Sequence, residues 1–479
     1  MFNHFGSHIT PSYGCLIQFL DHSCQTKNLI AIKKLHAHLL RTGLLFISPN
    51  IHSKLIFSYT NCLNENNFET LTNCCKFLNP KSPLHFNPLL SDFCKKGFPL
   101  HAVKTCSLMH SESVSLDTYA LCSSLKASSS LENLNFGEQI HAHVMKSGWL
   151  SSVFVGSALI DLYAKLLFVN NAAMMFDEIP VKNTVCANAL LSGYVEAKLW
   201  DQGVTLIRKM PFLSLDYDQF TISAMLRTCA GLAAVEFGRQ VHAYLTRKIY
   251  DVVNDVFLQS SLIEMYGKCG FVVKALQVFN LAGFQLGRKR IGDIVLWTSM
   301  IGVYGRNGHF IEVIGLFEEM LKEGIRPDGV AYVTVISACG HTGQLQLGIE
   351  YFESMTRDFK INPGPEHYSC VVDLLCRAGE LNKAWKLVSE MLTKGQDSFS
   401  ISMWGALLSA CEEHGNIELG KLAAQEALKL EPQNVGIYVM LSNLYARFGM
   451  WNEIDQLREI MKNRELKKDV GCSWIEVKS

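Results

Sequence analysis

One sequence feature constrains this chain more than any other: it repeats. Three fragments, "KLHAHLLRTGL", "QIHAHVMKSGW" and "QVHAYLTRKIY", place His36, His141 and His242 at separations of 105 and 101 residues. A finer repeat lies inside that period. "SALIDLYAKLLFVNNAAMMFDEIPVKN" aligns with "SSLIEMYGKCGFVVKALQVFN", and "NALLSGYVEAKLWDQGVTLIRKM" aligns with "TSMIGVYGRNGHFIEVIGLFEEM". Each reads as a helix ending near a Tyr, a short turn, and a second helix ending in a large apolar residue. Tyr163, Tyr194, Tyr266 and Tyr304 are equivalent, with Ala230, Cys339, Leu375 and Cys411 at the same place in intervening units. Unit lengths rotate through roughly 31, 35 and 36 residues, a period that means a solenoid or array. One hairpin cannot bury its apolar face alone, so stacking must supply the core. The expected fold is all-α, a right-handed α-solenoid of stacked helix-turn-helix repeats with a concave groove. Gly270, Gly308, Gly343 and Gly379 fall at the inter-helix turn, where a positive φ is expected.

Two of the three fragments carry His-x-His, His36/His38 and His141/His143. The pattern suits a metal ion only off a helix. Residues i and i+2 of a helix point roughly 200° apart. The flanks read as a helix with Phe136, Ile140, Val144 and Met145 on one stripe. The third fragment has Tyr244 in place of the second ligand. The histidines therefore read as repeat markers, the first of each pair packing in a second helix.

Composition narrows the function. Lys+Arg and Asp+Glu both number 44 among 479 residues, giving zero net charge. No basic excess exists to attract nucleic acid non-specifically. The 16 cysteines are scattered, none in C-x-x-C spacing, and read as reduced, buried small residues. No window approaches the roughly 18 apolar residues of a membrane span. Residues 1–14 are a possible targeting segment; the first twenty lack acidic residues but also lack Lys and Arg, so the signal is weak.

The length rotation, together with "GEQIHAHVMKSG", "VFVGSALIDLYAK", "MFDEIP", "EEMLKEGIRPD" and "PEHYSCVVDLLCRAGELNKAW", resembles the plant pentatricopeptide repeat proteins, in the subclass built from standard, long and short repeats. The likeness runs from about residue 15, with an array of about eleven repeats to residue 400. "NENNFETLTNCCKFLNPKS" is a poor short repeat, and "FQLGRKRIG" is an insertion expected to loop out. Residues 401–479 resemble the paired E motifs that follow the repeats in this subclass.

The resemblance implies single-stranded RNA as partner, read at about one base per repeat by two or three side chains. It assigns reading to the fifth and last residues of a repeat. These are Asn87 with Asp117, Ser157 with Asn183, Asn188 with Asp218, Ser260 with Asp293, and Thr298 with Asp328. Helix capping is the competing reading at the last position, since Asp and Asn are preferred N-caps. An ionised Asp only accepts hydrogen bonds and so selects the ring N–H of uracil or guanine. Asn can donate to adenine's ring nitrogen, and a short Ser or Thr leaves room for a purine. The five pairs then read U, A, U, G and G. With the long repeats at 118 and 219 unread, the element is 5′-U-N-A-U-N-G-G. The second residue of each repeat, Leu84, Phe154, Val185, Phe257 and Val295, is expected to wedge between bases.

A cytidine deaminase of the related kind needs H-x-E and P-C-x-x-C around zinc. "HSE" occurs at His110–Glu112 without that partner motif, and the chain stops just after "GCSWIEV", about where such a domain would begin. No nucleotide-binding Gly loop or nucleophile elbow is found. The expectation is a binding protein with no cofactor and no active site of its own. It would specify a C-to-U editing site in an organellar transcript, mitochondrial or alternatively chloroplast, and recruit a separate deaminase through residues 401–479. RNA stabilisation or splicing, and a tetratricopeptide-like protein-binding scaffold, are the alternatives.

Overall fold

The computed structural model describes residues 13–44, 51, 54–55, 58–59, 83–248, 255–284, 294–393 and 401–466. Every regular element among them is helical. The poor short repeat at 64–82, most of the insertion at 284–292, Asp293 and the chain beyond residue 466 lie outside the described residues.

By its contacts the chain divides into two compact units, Met1–Ala224 and Met225–Ser479. The first holds α1 (Tyr13–Gln25), α2 (Leu29–Arg41), α3 (Pro83–Lys95), α4 (Pro99–Ser111), α5 (Thr118–Ser130), α6 (Leu134–Ser147), α7 (Val153–Lys165), α8 (Val169–Glu178), α9 (Thr184–Glu196), α10 (Trp200–Lys209) and the start of α11 (Gln219–Leu232). The second continues with α12 (Val235–Lys248), α13 (Val256–Lys268), α14 (Val272–Phe284), α15 (Ile294–Arg306), α16 (Phe310–Lys322), α17 (Gly329–Thr342), α18 (Leu345–Arg357), α19 (Pro365–Arg377) and α20 (Leu381–Thr393). It ends with α21 (Ile401–His414), α22 (Ile417–Leu430), α23 (Val435–Arg447) and α24 (Trp451–Asn463).

Within each unit, odd-numbered helices are the first helices of hairpins and even-numbered ones the second. First helices pack on one another in series, α5 on α7 on α9 in one unit and α13 through α23 in the other. Second helices pack on their own first helix, as α4 on α3 and α8 on α7, and on the next, as α4 on α5 and α8 on α9. This is an α-solenoid, the predicted class. The predicted turn glycines have φ between +71° and +79°. Units lacking glycine there force Leu167 (φ +62°) and Lys198 (φ +57°) into the same left-handed turn, a conformation L side chains adopt at a cost.

The expected stripe of α6 is corrected by the packing. Ile140 and Val144 are buried, but Met145 is exposed and the stripe is completed by Gly137. A Cβ on Gly137 would lie 2.5 Å from Leu162 of α7. Gly238, Gly348 and Gly420 occupy the same place against Met265, Leu374 and Leu444. The hydrophobic pattern omits these contacts because the residue that permits them has no side chain. One equivalence also shifts: α11 starts at Gln219, so the partner of Tyr163 in that unit is the buried Cys229 rather than Ala230.

Candidate nucleic-acid interface

The marker histidines bond forward to the next hairpin. Nδ1 of His36, His141 and His242 lies 3.1, 2.8 and 2.9 Å from the hydroxyl of Tyr59, Tyr163 and Tyr266. The ring pairs stand edge to face at 5.7 Å in every case. Burial lowers the pKa of His141 and His242 and raises that of Tyr163 and Tyr266. At neutral pH the phenol is therefore bonded to an uncharged imidazole at His141 and His242. In the short units a Phe (Phe176, Phe279) takes the histidine's place, and no such bond forms. The second members, His38 and His143, take no part in these bonds.

The predicted reading residues sit at the N-terminal ends of first helices. In four units the last residue caps the following helix, whereas Ser152, which ends the long repeat before α7, makes no such bond. Asp117 accepts from the backbone N–H of Ala120, Asn183 from Cys186, Asp218 from Thr221 and Asp328 from Ala331, at 2.8–2.9 Å. Capping and pairing are not alternatives, because a carboxylate has acceptor capacity for both. Asn87 Nδ2 donates to Asp117 Oδ2 at 2.7 Å while Oδ1 holds the cap. Asn188 Nδ2 donates to both oxygens of Asp218 at 2.9 and 3.0 Å. Thr298 Oγ1 donates to Asp328 Oδ1 at 3.2 Å. Ser157 does not bond Asn183: its Oγ donates to the Val153 carbonyl at 2.7 Å and lies 2.9 Å from Cys186 Sγ. Ser260 bonds the Phe257 carbonyl at 2.9 Å, and its predicted partner Asp293 is outside the described residues.

Beside these pairs stands a row of second residues. Phe154, Val185 and Phe257 are 60–74% exposed, and Val295 is half-buried. The side chain of Leu84 lies outside the described residues. Sequence reasoning left the long repeats out of this row. The structure places Tyr119, Phe220 and Val330 at the same register, 62–76% exposed. The signal was present as an aromatic or β-branched residue directly after each helix start. The row ends at Glu366. There Gly364 supplies no cap side chain, and His367 of α19 holds the cap residue's own backbone instead: its Nδ1 accepts from Gly364 N–H at 3.0 Å and its Nε2 lies 2.9 Å from the Gly329 carbonyl.

Beyond residue 400 the hairpins persist without the pairs. Gly405 takes the fifth position of α21, with open space where a side chain would be. The basic cluster Lys462, Arg464, Lys467 and Lys468 reads from sequence either as a contact to RNA phosphate near the edited base or, the favoured reading, as a solvated helix end. Arg464 departs from that, since its Nη1 donates to the Pro432 carbonyl at 2.9 Å and to the Tyr438 hydroxyl at 2.8 Å. It ties the end of α24 to the turn before α23. Lys467 and Lys468 lie outside the described residues.

Comparison with known proteins agrees with this register. The E motif profile matches residues 414–476. The PPR repeat family profile matches 292–341, and PPR repeat profiles match 185–213, 260–281, 330–358 and 360–392. A putative pentatricopeptide repeat-containing protein of Arabidopsis thaliana is 30% identical over 465 residues, covering 97% of this chain and 76% of that protein. A second from the same plant, named mitochondrial, is 34% identical over 397 residues, covering 83% of this chain and 60% of its own length. Another is named chloroplastic. The chain spans about half the length of several such relatives, 54% of one and 45% of the chloroplastic one. The crystal structure of the pentatricopeptide repeat protein PPR10 in complex with an 18-nt psaJ RNA element matches 97% of this chain and 70% of that one, with a TM-score of 0.70 at 14% identity. At that identity the likeness speaks to the fold. Repeat register, profile matches and near full-length relatives converge: this chain belongs to the pentatricopeptide repeat family.

Proposed function

We propose that this chain binds single-stranded RNA in an organelle and specifies a C-to-U editing site there, recruiting a separate deaminase through residues 401–479. The observation that carries the RNA reading is the register of the pairs. In three repeats one carboxylate caps a helix and also holds the fifth residue's amide or hydroxyl, and the capped helix carries an exposed second residue, Tyr119, Phe220 or Val330. A peptide-binding groove has no reason to repeat that arrangement at this spacing. The reading positions are Asn87, Asp117, Ser157, Asn183, Asn188, Asp218, Ser260, Asp293, Thr298 and Asp328, and the element is 5′-U-N-A-U-N-G-G. Stacking on exposed apolar residues needs no high net charge, which suits a neutral chain. RNA as the partner is supported by the solved PPR10–RNA complex. An organelle is supported by relatives named mitochondrial and chloroplastic.

Editing rests on the E motif match and on the loss of reading side chains after residue 400, which leaves a helical surface free to meet protein. The test is to sequence organellar transcripts from plants lacking the protein, complemented with the full chain or with residues 1–400. One unedited cytidine downstream of the element, restored by the full chain alone, supports the reading. Transcript loss or intron retention with editing intact replaces it with RNA stabilisation or splicing.

A further inference from the structure

Two of the reading pairs carry the same letters, Asn87–Asp117 and Asn188–Asp218, and both read as uracil. Their surroundings differ at the residue three places after the Asp. In the first pair it is Ala120; in the second it is Thr221, fully buried at the start of α11. Thr221 Oγ1 lies 2.7 Å from Asn188 Oδ1 and 2.9 Å from Asp218 Oδ1. The equivalent carbonyl oxygen of Asn87 is buried and has no hydrogen-bond partner.

From this contrast, and resting on the base-reading role just proposed, we infer that Thr221 is a positioning residue that sharpens uracil selection by the Asn188–Asp218 pair. The second pair is a closed network. Asn188 spends its carbonyl on Thr221 and one amide hydrogen on Asp218. Asp218 Oδ1 is taken by the backbone N–H of Thr221, which is the helix cap, and by the Asn188 amide, so the single hydroxyl hydrogen of Thr221 goes to the nearer Asn188 carbonyl. What remains for a base is the second amide hydrogen of Asn188 and the outer lone pairs of Asp218 Oδ2. That is one donor beside one acceptor, the complement of uracil's O4 and N3–H. Cytosine reverses both, with an acceptor at N3 and a donor at N4, and finds no free carbonyl.

The first pair is open on one side. The Asn87 carbonyl is buried and unpaired, so only the Nδ2 bond to Asp117 opposes a rotation of the amide that would turn the carbonyl toward a cytosine amino group. An unsatisfied buried polar atom is costly, so any base that pairs it is favoured. The Asp218–Thr221 cap alone does not account for the contact with Asn188, which belongs to the preceding hairpin.

The test uses the full chain and three single-stranded RNAs: U-N-A-U-N-G-G, and the same with C at the fourth or at the first nucleotide. The ratio of affinities for U and C is the readout, because lost stability or general affinity cancels from it. The unaltered protein should discriminate more strongly at the fourth nucleotide than at the first. Thr221→Val, which keeps shape and removes the hydroxyl, should cut the ratio at the fourth nucleotide roughly fivefold, the size expected for one buried hydrogen bond. It should leave the ratio at the first unchanged, and Thr221→Ser should restore the loss. Asp218→Asn is the register control. If it shifts preference at the fourth nucleotide while Thr221→Val leaves the ratio intact, Thr221 has no positioning role. If Asp218→Asn changes nothing, the base reading itself falls, and this inference with it.

Discussion

The hydroxyl of Tyr163 meets Nδ1 of His141 at 2.8 Å, one hairpin bonded to the second helix of the hairpin before it. The same bond recurs at His36–Tyr59 and His242–Tyr266, so it marks a junction type rather than an accident of packing. The imidazole is held neutral by burial, and its pKa lies below the ordinary value in both His141 and His242.

That depression sets a pH dependence. Below an ordinary histidine value near pH 6.5 the unfolded chain takes up a proton that the native chain resists. The contribution is complete above that pH and is lost as pH falls toward the lowered native value. Urea unfolding midpoints should therefore decline between pH 7 and 5. Replacing His141 and His242 together by Gln should flatten that decline. Tyr163→Phe should lower stability at pH 7.5 by about 1 kcal/mol, leaving a buried acceptor unpaired.

Asp328 offers the cleanest change of base preference. Its Oδ1 caps Ala331 and accepts from Thr298. Asn keeps an Oδ1 for the cap, so Asp328→Asn should fold normally by circular dichroism. It should shift selection at the final G toward A by roughly tenfold, as one base-edge contact allows. Equal binding of both RNAs by both proteins would show that the assigned register is wrong.

Phe220 belongs to a long repeat and is 76% exposed. Nothing in the folded chain depends on its ring, so Phe220→Ala should leave the melting temperature within about 1 °C, as for other surface changes. RNA affinity should fall by about 1–3 kcal/mol if a base stacks on it. Unchanged affinity would remove the long repeats from the interface.

Leu167 sits at φ +62° in the turn between α7 and α8, where other units carry glycine. Leu167→Gly should raise stability by about 1 kcal/mol, measured by thermal unfolding, because the left-handed strain exceeds the added freedom of the unfolded chain.

Much of the architecture was legible because a hairpin array writes its period directly into the chain. The positive-φ glycines, the Tyr positions and the second-helix histidines could all be placed from spacing. What escaped were contacts made by absence or by geometry between units. Gly137 against Leu162 is invisible to a hydrophobic pattern. Arg464 reads as one cation among four until the turn at Pro432 is folded beneath it. The pairing of Asn188 with Asp218 was legible as letters, whereas the hydroxyl of Thr221 between them needed coordinates.

The doubled duty of the last residue in each repeat has a consequence for how such proteins diverge. The side chains able to cap a helix start are few, chiefly Asp, Asn, Ser and Thr, and they differ in what they offer a base. Exchange of Asp for Asn at position 328 keeps the one oxygen, Oδ1, that the next helix and Thr298 both use. Selection on folding is then nearly blind to the exchange, while on the proposed base reading selection on the target sees all of it. A lineage can wander from one transcript to another along a path of single substitutions, each step folding as well as the one before. The same constraint narrows the vocabulary to side chains that can also begin a helix, and at Gly364, which has none, a histidine from within the next helix holds the backbone N–H of the cap residue instead.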